Sequence, residues 1–371
     1  MLKISKKEIK FYKENKKSKQ KKQTNMVKYI IKRIIIMFPI LILALILTWL
    51  LANSMQVYSI LIRASTFDPE LIELEKIKTG FYDPWFVKLG NYLRNFFTGQ
   101  WGESYTVQPG MPIVQIIAQI FPKTIELMII PIFLTPIIAV KMGATAARHK
   151  DKAKDNIIRF ITILAAGFPL FWIATMLQIS FGVFITDFTN GRLFIPVMGT
   201  NDISPLPIPP DGFRTGFRII DAIIYNDQVF LWDTVLHLIL PSICMVFVSL
   251  AGISRLTRSS MLDVLDSDYI RTARAKGVKE DNIIQKHALR NALIPTSNLI
   301  IGSTAASFLG SLFIEMSFDY RGFGWWFVDA INKADYLLIN GLMVISIIIV
   351  LIGILVTDVM YTIIDPRITY N

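Results

Sequence analysis

Apolar residues along this 371-residue chain gather into six long stretches, at residues 29–52, 113–142, 157–186, 231–256, 293–316 and 337–361, separated by polar segments. Each stretch reaches the ~20 residues that a helix needs to cross the hydrocarbon layer. Only internally bonded backbone is tolerated there, so the pattern predicts an all-α integral membrane protein with six transmembrane helices. The second, third and sixth stretches are long enough to tilt or to extend past the bilayer. An even number of crossings leaves both termini on one side.

The polar segments differ in kind. Residues 1–28 form a lysine-rich tail, expected to be disordered and to lie near lipid headgroups. Residues 53–112 mix acidic and aromatic side chains, Glu70, Glu73, Glu75, Trp85 and Trp101 among them, and are expected to fold as a small cap with an interfacial helix around residues 84–97. Residues 187–230 read as loop, because Pro196, Pro205, Pro207, Pro209 and Pro210 deny regular helix.

Residues 259–292 read as helix, turn, helix. Ser267 or Asp268 can cap a short helix through Arg274, Gly277 tolerates the positive φ of a sharp turn, and Glu280 or Asp281 opens a second helix. Ile283 and Ile284 are followed four residues on by His287 and Ala288, giving that helix one face for the protein and another studded with Lys279, Lys286 and Arg290. Within the long stretches, Pro122, Pro131, Pro136, Pro169 and Pro295 each delete a backbone donor and can bend a helix or merely shape its packing.

Composition agrees with the membrane reading. The chain is 53% hydrophobic and 18% charged, with mean hydropathy +0.48, against about 45–50% and 25% in soluble domains. Of its 39 Lys and Arg, 28 fall in the amino-terminal tail and start of the first stretch, in residues 141–159 and 255–290, and at Arg367. That bias assigns both termini and these two loops to the cytosol, and the cap to the outside. The net charge of +11 is thereby accounted for in topogenic loops, with no folded basic domain to present to nucleic acid. The first stretch is of full bilayer length with no small-residue cleavage pattern after it, and is expected to remain as an anchor. Cys244, the single cysteine, reads as a packing residue.

The run Asp268-Tyr269-Ile270-Arg271-Thr272-Ala273-Arg274-Ala275-Lys276-Gly277, continuing to His287-Ala288-Leu289-Arg290-Asn291-Ala292, closely resembles the loop by which the membrane subunits of ATP-binding-cassette (ABC) importers dock onto their ATPases. Arg271, Thr272 and Ala273 stand where the general pattern has Glu-Ala-Ala, as in oligopeptide and dipeptide permeases. Gly99-Gln100-Trp101-Gly102-Glu103-Ser104-Tyr105, Pro122-Lys123-Thr124-Ile125-Glu126-Leu127, Phe168-Pro169-Leu170-Phe171-Trp172 and Asp365-Pro366-Arg367-Ile368 are similar to strings of the B-type permease of that family. The resemblance covers nearly all of the chain after residue 27. One departure is the lack of a Pro-Gly-Asp-Pro turn after the first stretch, where only Asp68-Pro69 stands.

The resemblance implies a type I ABC importer permease fold, with the transmembrane type-1 domain over residues 113–362 and a short cytosolic tail at 363–371. It implies a second homologous permease, two cytosolic ABC ATPases and an extracellular solute-binding protein as partners in the cell membrane. ATP and Mg would sit on the ATPases, with no cofactor and no metal bound by this chain. The residues matched to the coupling loop are Asp268, Tyr269, Arg271, Ala273, Ala275, Gly277, His287, Arg290 and Asn291. Candidates for the translocation pathway are Glu126 and Glu315, since charge at the bilayer centre costs at least about 2.5–3.5 kcal/mol, together with Phe171 and Trp172. Oligopeptides or dipeptides are the expected cargo, with nickel and glutathione carried by importers of the same branch.

Catalytic readings find no footing in the sequence. His149, His237 and His287 are scattered, and there is no His-Glu-x-x-His helix, phosphate-binding Gly-x-x-x-x-Gly-Lys loop or Gly-x-Ser-x-Gly elbow. An ion-coupled secondary transporter, the alternative from another class, predicts inverted repeats and midplane ion ligands instead of a docking loop.

Overall fold

The computed structural model describes residues 6–54, 69–192, 195–200 and 213–364. It is helical throughout apart from turns and one isolated bridge between Glu103 and Pro112. In chain order the helices are α1 (Lys6–Ser54), α2 (Pro69–Lys78), α3 (Trp85–Thr98), α4 (Ile113–Arg148), α5 (Ala153–Gly167), α6 (Leu170–Ile179), α7 (Arg218–Ile224), α8 (Gln228–Leu265), α9 (Asp268–Ala275), α10 (Leu289–Ser317), α11 (Phe323–Asn332) and α12 (Tyr336–Ile364). Among the described residues five helices are long and apolar enough to cross a membrane, and the bent helix Glu280–Ser317 counts as a sixth when its two parts are taken as one span.

Burial ranks the spans. In α8, 61% of the most apolar stretch is buried, against 17% in α1 and in α12. Thus α8 forms the axis of the bundle, packed against α4, α5 and α10, while α1 and α12 lie side by side at its edge. The close approach of α4 to α8 depends on Gly143, where a Cβ would stand 2.5 Å from the Ser254 carbonyl oxygen. At one end of the edge pair Arg33 meets Asp358 at 2.9 Å. At the other, the Tyr92 hydroxyl of α3 is 2.9 Å from Thr48 of α1 and donates to Asn340 of α12 at 3.0 Å. These contacts make α1 and α12 antiparallel, with the start of α1 and the end of α12 at the same end of the bundle.

Three expectations are corrected. The basic tail is helical from Lys6, as the start of α1; residues 6–38 contain no Pro or Gly and are rich in Lys, Glu and Gln, which favour helix. The third stretch is divided: Phe168 and Pro169 are extended, α5 ends before them, and the crossing helix is α6 continued to Phe188 through a π-helical turn at Ser180–Ile185. By contrast α4 runs as one helix through Pro122, Pro131 and Pro136, and the sharp bend lies between Phe308 and Gly310, where the axis turns by 47°. There Ser311 bonds back to the Phe308 carbonyl beside Gly310, a pairing that loosens a helix. Finally, the second short helix of the 259–292 region is no separate element. Glu280–Asn282 runs through π-helical Ile283–Ala288 directly into α10.

The cap region contains a helix close to where the sequence predicts one, α3, capped by Gly99 in the left-handed region at φ 74°. Trp101 stacks on Phe96, and its indole N–H donates to the Phe96 carbonyl at 3.1 Å. The next residues wrap a buried carboxylate. Asp335 Oδ2 accepts from Ser104 Oγ at 2.6 Å and from the backbone N–H of Tyr105, Thr106 and Val107 at 3.1–3.2 Å, while Oδ1 accepts from Leu338 N at the start of α12. The Gly-Glu-Ser-Tyr string is therefore a clamp onto the last span. The beginning of the cap before Pro69, the prolines from Pro205 to Pro210 and the 365–371 tail lie outside the described residues.

Candidate functional site

The segment matched to the docking loop is a hairpin tied to one end of the bundle. Leaving α8, the chain turns at Ser267, whose carbonyl accepts the N–H of Ile270 and Arg271; its hydroxyl bonds back to Val264 instead of capping α9. The eight-residue α9 sends one residue fully inward, Ile270, against Ala147 of α4, Met261 of α8, and Ile283, Ala288 and Ala292. Gly277 then takes φ 74°, and its N–H donates to the Arg274 carbonyl at 2.9 Å while Val278 N reaches Ala273 O. Across this turn the Arg274 guanidinium meets Glu280 through two contacts, the shorter 2.9 Å. Pairing with Glu280 pushes the Arg274 pKa up from its ordinary value.

Two further links fix the hairpin in place. Arg148, the last residue of α4, meets Asp281 at 2.7 Å. Asn291 donates to the Tyr269 hydroxyl at 2.8 Å, joining the two arms. The outer surface stays open: Asp268, Tyr269, Arg271, Ala275, Gly277, His287, Arg290 and Asn291 are exposed, and Ala273 is half-buried. The structure thus gathers all nine sequence-matched residues on one protrusion. Its inward side is an apolar plug and its outward side is polar and mainly basic.

A neighbouring contact was not foreseen from sequence. Asp155, fully buried at the start of α5, accepts Arg258 Nε at 2.8 Å and Nη2 at 2.7 Å, and also the Asp151 N–H. The only hint in the chain is a pair of acidic residues, Asp151 and Asp155, within a basic loop. The Arg258 guanidinium holds the Asp155 carboxyl below the usual carboxylate range against the opposing effect of burial. This stabilisation is present above the unfolded-state value near pH ~4 and is lost as pH falls through the depressed native value. Arg258→Met leaves a buried carboxylate without its cation and is expected to cost about 3–5 kcal/mol, and Asp155→Asn added to it should recover part of the loss. Thermal melts of the two variants in detergent check this; equal melting of Arg258→Met and the parent would show that the pair contributes nothing.

The four pathway candidates are not brought together. Glu315 is fully buried, accepting Thr124 Oγ1 at 2.7 Å on one oxygen and the N–H of Gly324 and Trp325 at 2.7 and 3.2 Å on the other. It is the cap of α11. Thr124 in turn accepts Phe323 N, so α4, α10 and α11 meet at this carboxyl group. Glu126 is buried too and accepts Ile219 N at 2.8 Å, holding the start of α7. Phe171 and Trp172, in contrast, are 59% and 39% exposed at the start of α6, with Trp172 stacked on Phe168. Among the four, only these aromatics present a surface.

Comparison with known proteins bears on this arrangement. Residues 139–370 match the family model described as "Binding-protein-dependent transport system inner membrane component". The chain is 34% identical over 351 residues, 93% of its length and 100% of the relative's, to the dipeptide transport system permease protein DppB of Alkalihalophilus pseudofirmus. It is 33% identical over 350 residues, with the same coverage, to the oligopeptide transport system permease protein AppB of Bacillus subtilis. A di/tripeptide transport system permease protein of Pseudomonas aeruginosa is 32% identical over 82% of this chain and 87% of its own.

Proposed function

The chain belongs to the binding-protein-dependent transport inner-membrane component family, and from that premise we propose that it is one half of the pore of an ATP-driven importer of short peptides, docked to an ATPase through the hairpin around Gly277. The observation that carries this reading is the build of the hairpin. It is plugged by Ile270, pinned to α4 by Arg148 and to itself by Arg274, and continuous through Ile283–Ala288 with α10. A push on such a body reaches two spans instead of bending a loop.

The hairpin, the α4–α5 turn, the start of α1 and the end of α12 share one end of the bundle, and the wealth of Lys and Arg in these segments supports a cytosolic position for it. A second, homologous permease would complete the pore, with the exposed Phe171 and Trp172 surface available to it or to cargo. Two cytosolic ATPases would bind ATP and Mg, and an extracellular binding protein would deliver the peptide; the chain itself would carry neither catalysis nor cofactor. Closing of the ATPase pair would move the hairpins and rock the pore between its two openings. Swinging such an equilibrium from 1:99 to 99:1 takes about 5.5 kcal/mol, which ATP binding and hydrolysis must deliver through this contact.

Reconstitution tests the proposal. The chain alone in vesicles should move nothing under an ion gradient, while the complete assembly should hydrolyse ATP faster when short peptides are added. Gradient-driven uptake by the isolated chain would overturn the mechanism. Stimulation by nickel or glutathione and by no peptide mixture would keep the assembly and remove the cargo.

A further inference from the structure

Between α5 and α6 the chain leaves helix for two residues, Phe168 and Pro169. The depth of this break is fixed by its neighbour: Cys244 Sγ donates to the Leu170 carbonyl at 3.8 Å, and Cys244 stands near the middle of the 38-residue α8. The 15-residue α5 rises to the break from the hairpin end, where Asp155 meets Arg258. The break therefore lies at the depth of the apolar centre of the bundle.

A count of backbone bonds shows what is left open there. The Phe168 N–H closes the last bond of α5 on the Leu164 carbonyl, Pro169 has no N–H, and Trp172 and Ile173 at the start of α6 both donate to the Pro169 carbonyl. Among the described residues nothing donates to the carbonyls of Ala166, Gly167 and Phe168. All three residues are exposed, and a Cβ on Gly167 would meet no atom within 4 Å. Phe171 and Trp172 flank this opening from α6, both exposed.

That exposure constrains what can face the break. Unpaired backbone at membrane depth is tolerated only where it is buried in protein or lines a water-filled cavity, so these carbonyls do not face lipid. A neighbouring transmembrane helix covers them poorly, because its own N–H groups are spent on bonds within it. An extended peptide carries a free N–H at nearly every residue, and water can take its place between passages.

We propose that the α5–α6 break lines the passage of the importer, and that a peptide in transit donates backbone N–H groups to the Ala166, Gly167 and Phe168 carbonyls while Phe171 and Trp172 form an apolar wall beside its side chains. The assignment rests on the peptide-importer reading and names its central contact. Acceptors that belong to the backbone read no side chain, so cargo of varied sequence can pass the same point.

The test uses the complete assembly in vesicles, with Cys244→Ser as background and short alanine peptides as probe. Gly167→Cys should react with a charged methanethiosulfonate reagent, which attacks a hydrated thiolate, and the peptides should slow that reaction severalfold. Peptides methylated on their backbone nitrogens, supplied so as to fill the binding protein equally, should protect far less. Gly167→Trp, whose side chain enters open space, should lose most of its uptake while still co-purifying with the second permease. Absent labelling, equal protection by the methylated peptides, or full uptake by Gly167→Trp overturns the proposal. Loss of the second permease from Gly167→Trp overturns it as well, by assigning the break to the contact between permeases. The underlying reading fails separately, when the parent assembly itself moves no peptide; this proposal then falls with it, whereas a transporting parent beside an unimpaired Gly167→Trp sinks this proposal alone.

Discussion

Asp335→Ala is expected to lower the melting temperature of the detergent-solubilised chain more than any other single change in the cap, and to open residues 101–110 to proteolysis. The carboxylate accepts one hydroxyl and three consecutive backbone N–H groups on one oxygen and the α12 N–H of Leu338 on the other. Removing it orphans these donors in a site with no exposed surface at Asp335. At about 1–3 kcal/mol for a buried unsatisfied group, a loss of at least about 3 kcal/mol follows. Asp335→Asn should be milder, since its oxygen can still face the Ser104–Val107 turn while its amide group opposes only Leu338 N. Tyr105 reports on the same clamp: its hydroxyl donates to Ala334 O and accepts from Tyr336 N, so Tyr105→Phe should weaken the cap less than Asp335→Ala but in the same assay. Asp335→Ala melting with the parent would mean that the cap is held elsewhere.

That clamp also marks where sequence reading stops. The spans are legible because a run of ~20 apolar residues has few other uses, and the hairpin because charge, a turn glycine and a long motif coincide at Tyr269–Gly277. An acidic residue inside an apolar stretch is different. From sequence, Glu126 and Glu315 read as candidates for a water-filled path, because the donor to the first lies 93 residues away at Ile219, while the second takes Thr124 from 191 residues away and the N–H groups of Gly324 and Trp325, which nothing in the sequence marks as donors. Asp335 went unnoticed for the same reason, its partners being about 230 residues earlier. Local rules failed more mildly. Proline at five places left bend and packing open, and α4 runs through three of them as one helix, since neighbouring helices can re-satisfy the freed carbonyls. Pro169 does end a helix, because its ring disfavours helical backbone at Phe168 before it, which is extended.

Gly277→Val should lower peptide transport and stimulated ATP hydrolysis together, by misplacing the hairpin. No atom lies within 4 Å of where a Cβ would stand, so the substitution meets no steric obstacle; the whole effect must come from forcing a β-branched residue to φ 74°. That strain is about 1–3 kcal/mol, and a penalty of this size reduces the docking-competent population roughly 5- to 150-fold. Peptide uptake and peptide-stimulated ATPase activity of the reconstituted assembly should fall together by a factor in that range, while the amount of chain in the membrane is unchanged. Gly277→Asn separates conformation from size, because asparagine enters the left-handed region far more readily than valine and should retain most of the activity. The tie between the Arg274 and Glu280 side chains across the turn predicts partial protection, so that Glu280→Gln combined with Gly277→Asn should be worse than either alone. If Gly277→Val keeps full stimulated ATPase activity, the turn does not transmit the ATPase stroke and the contact must lie on the exposed face of Ile283–Ala288 instead.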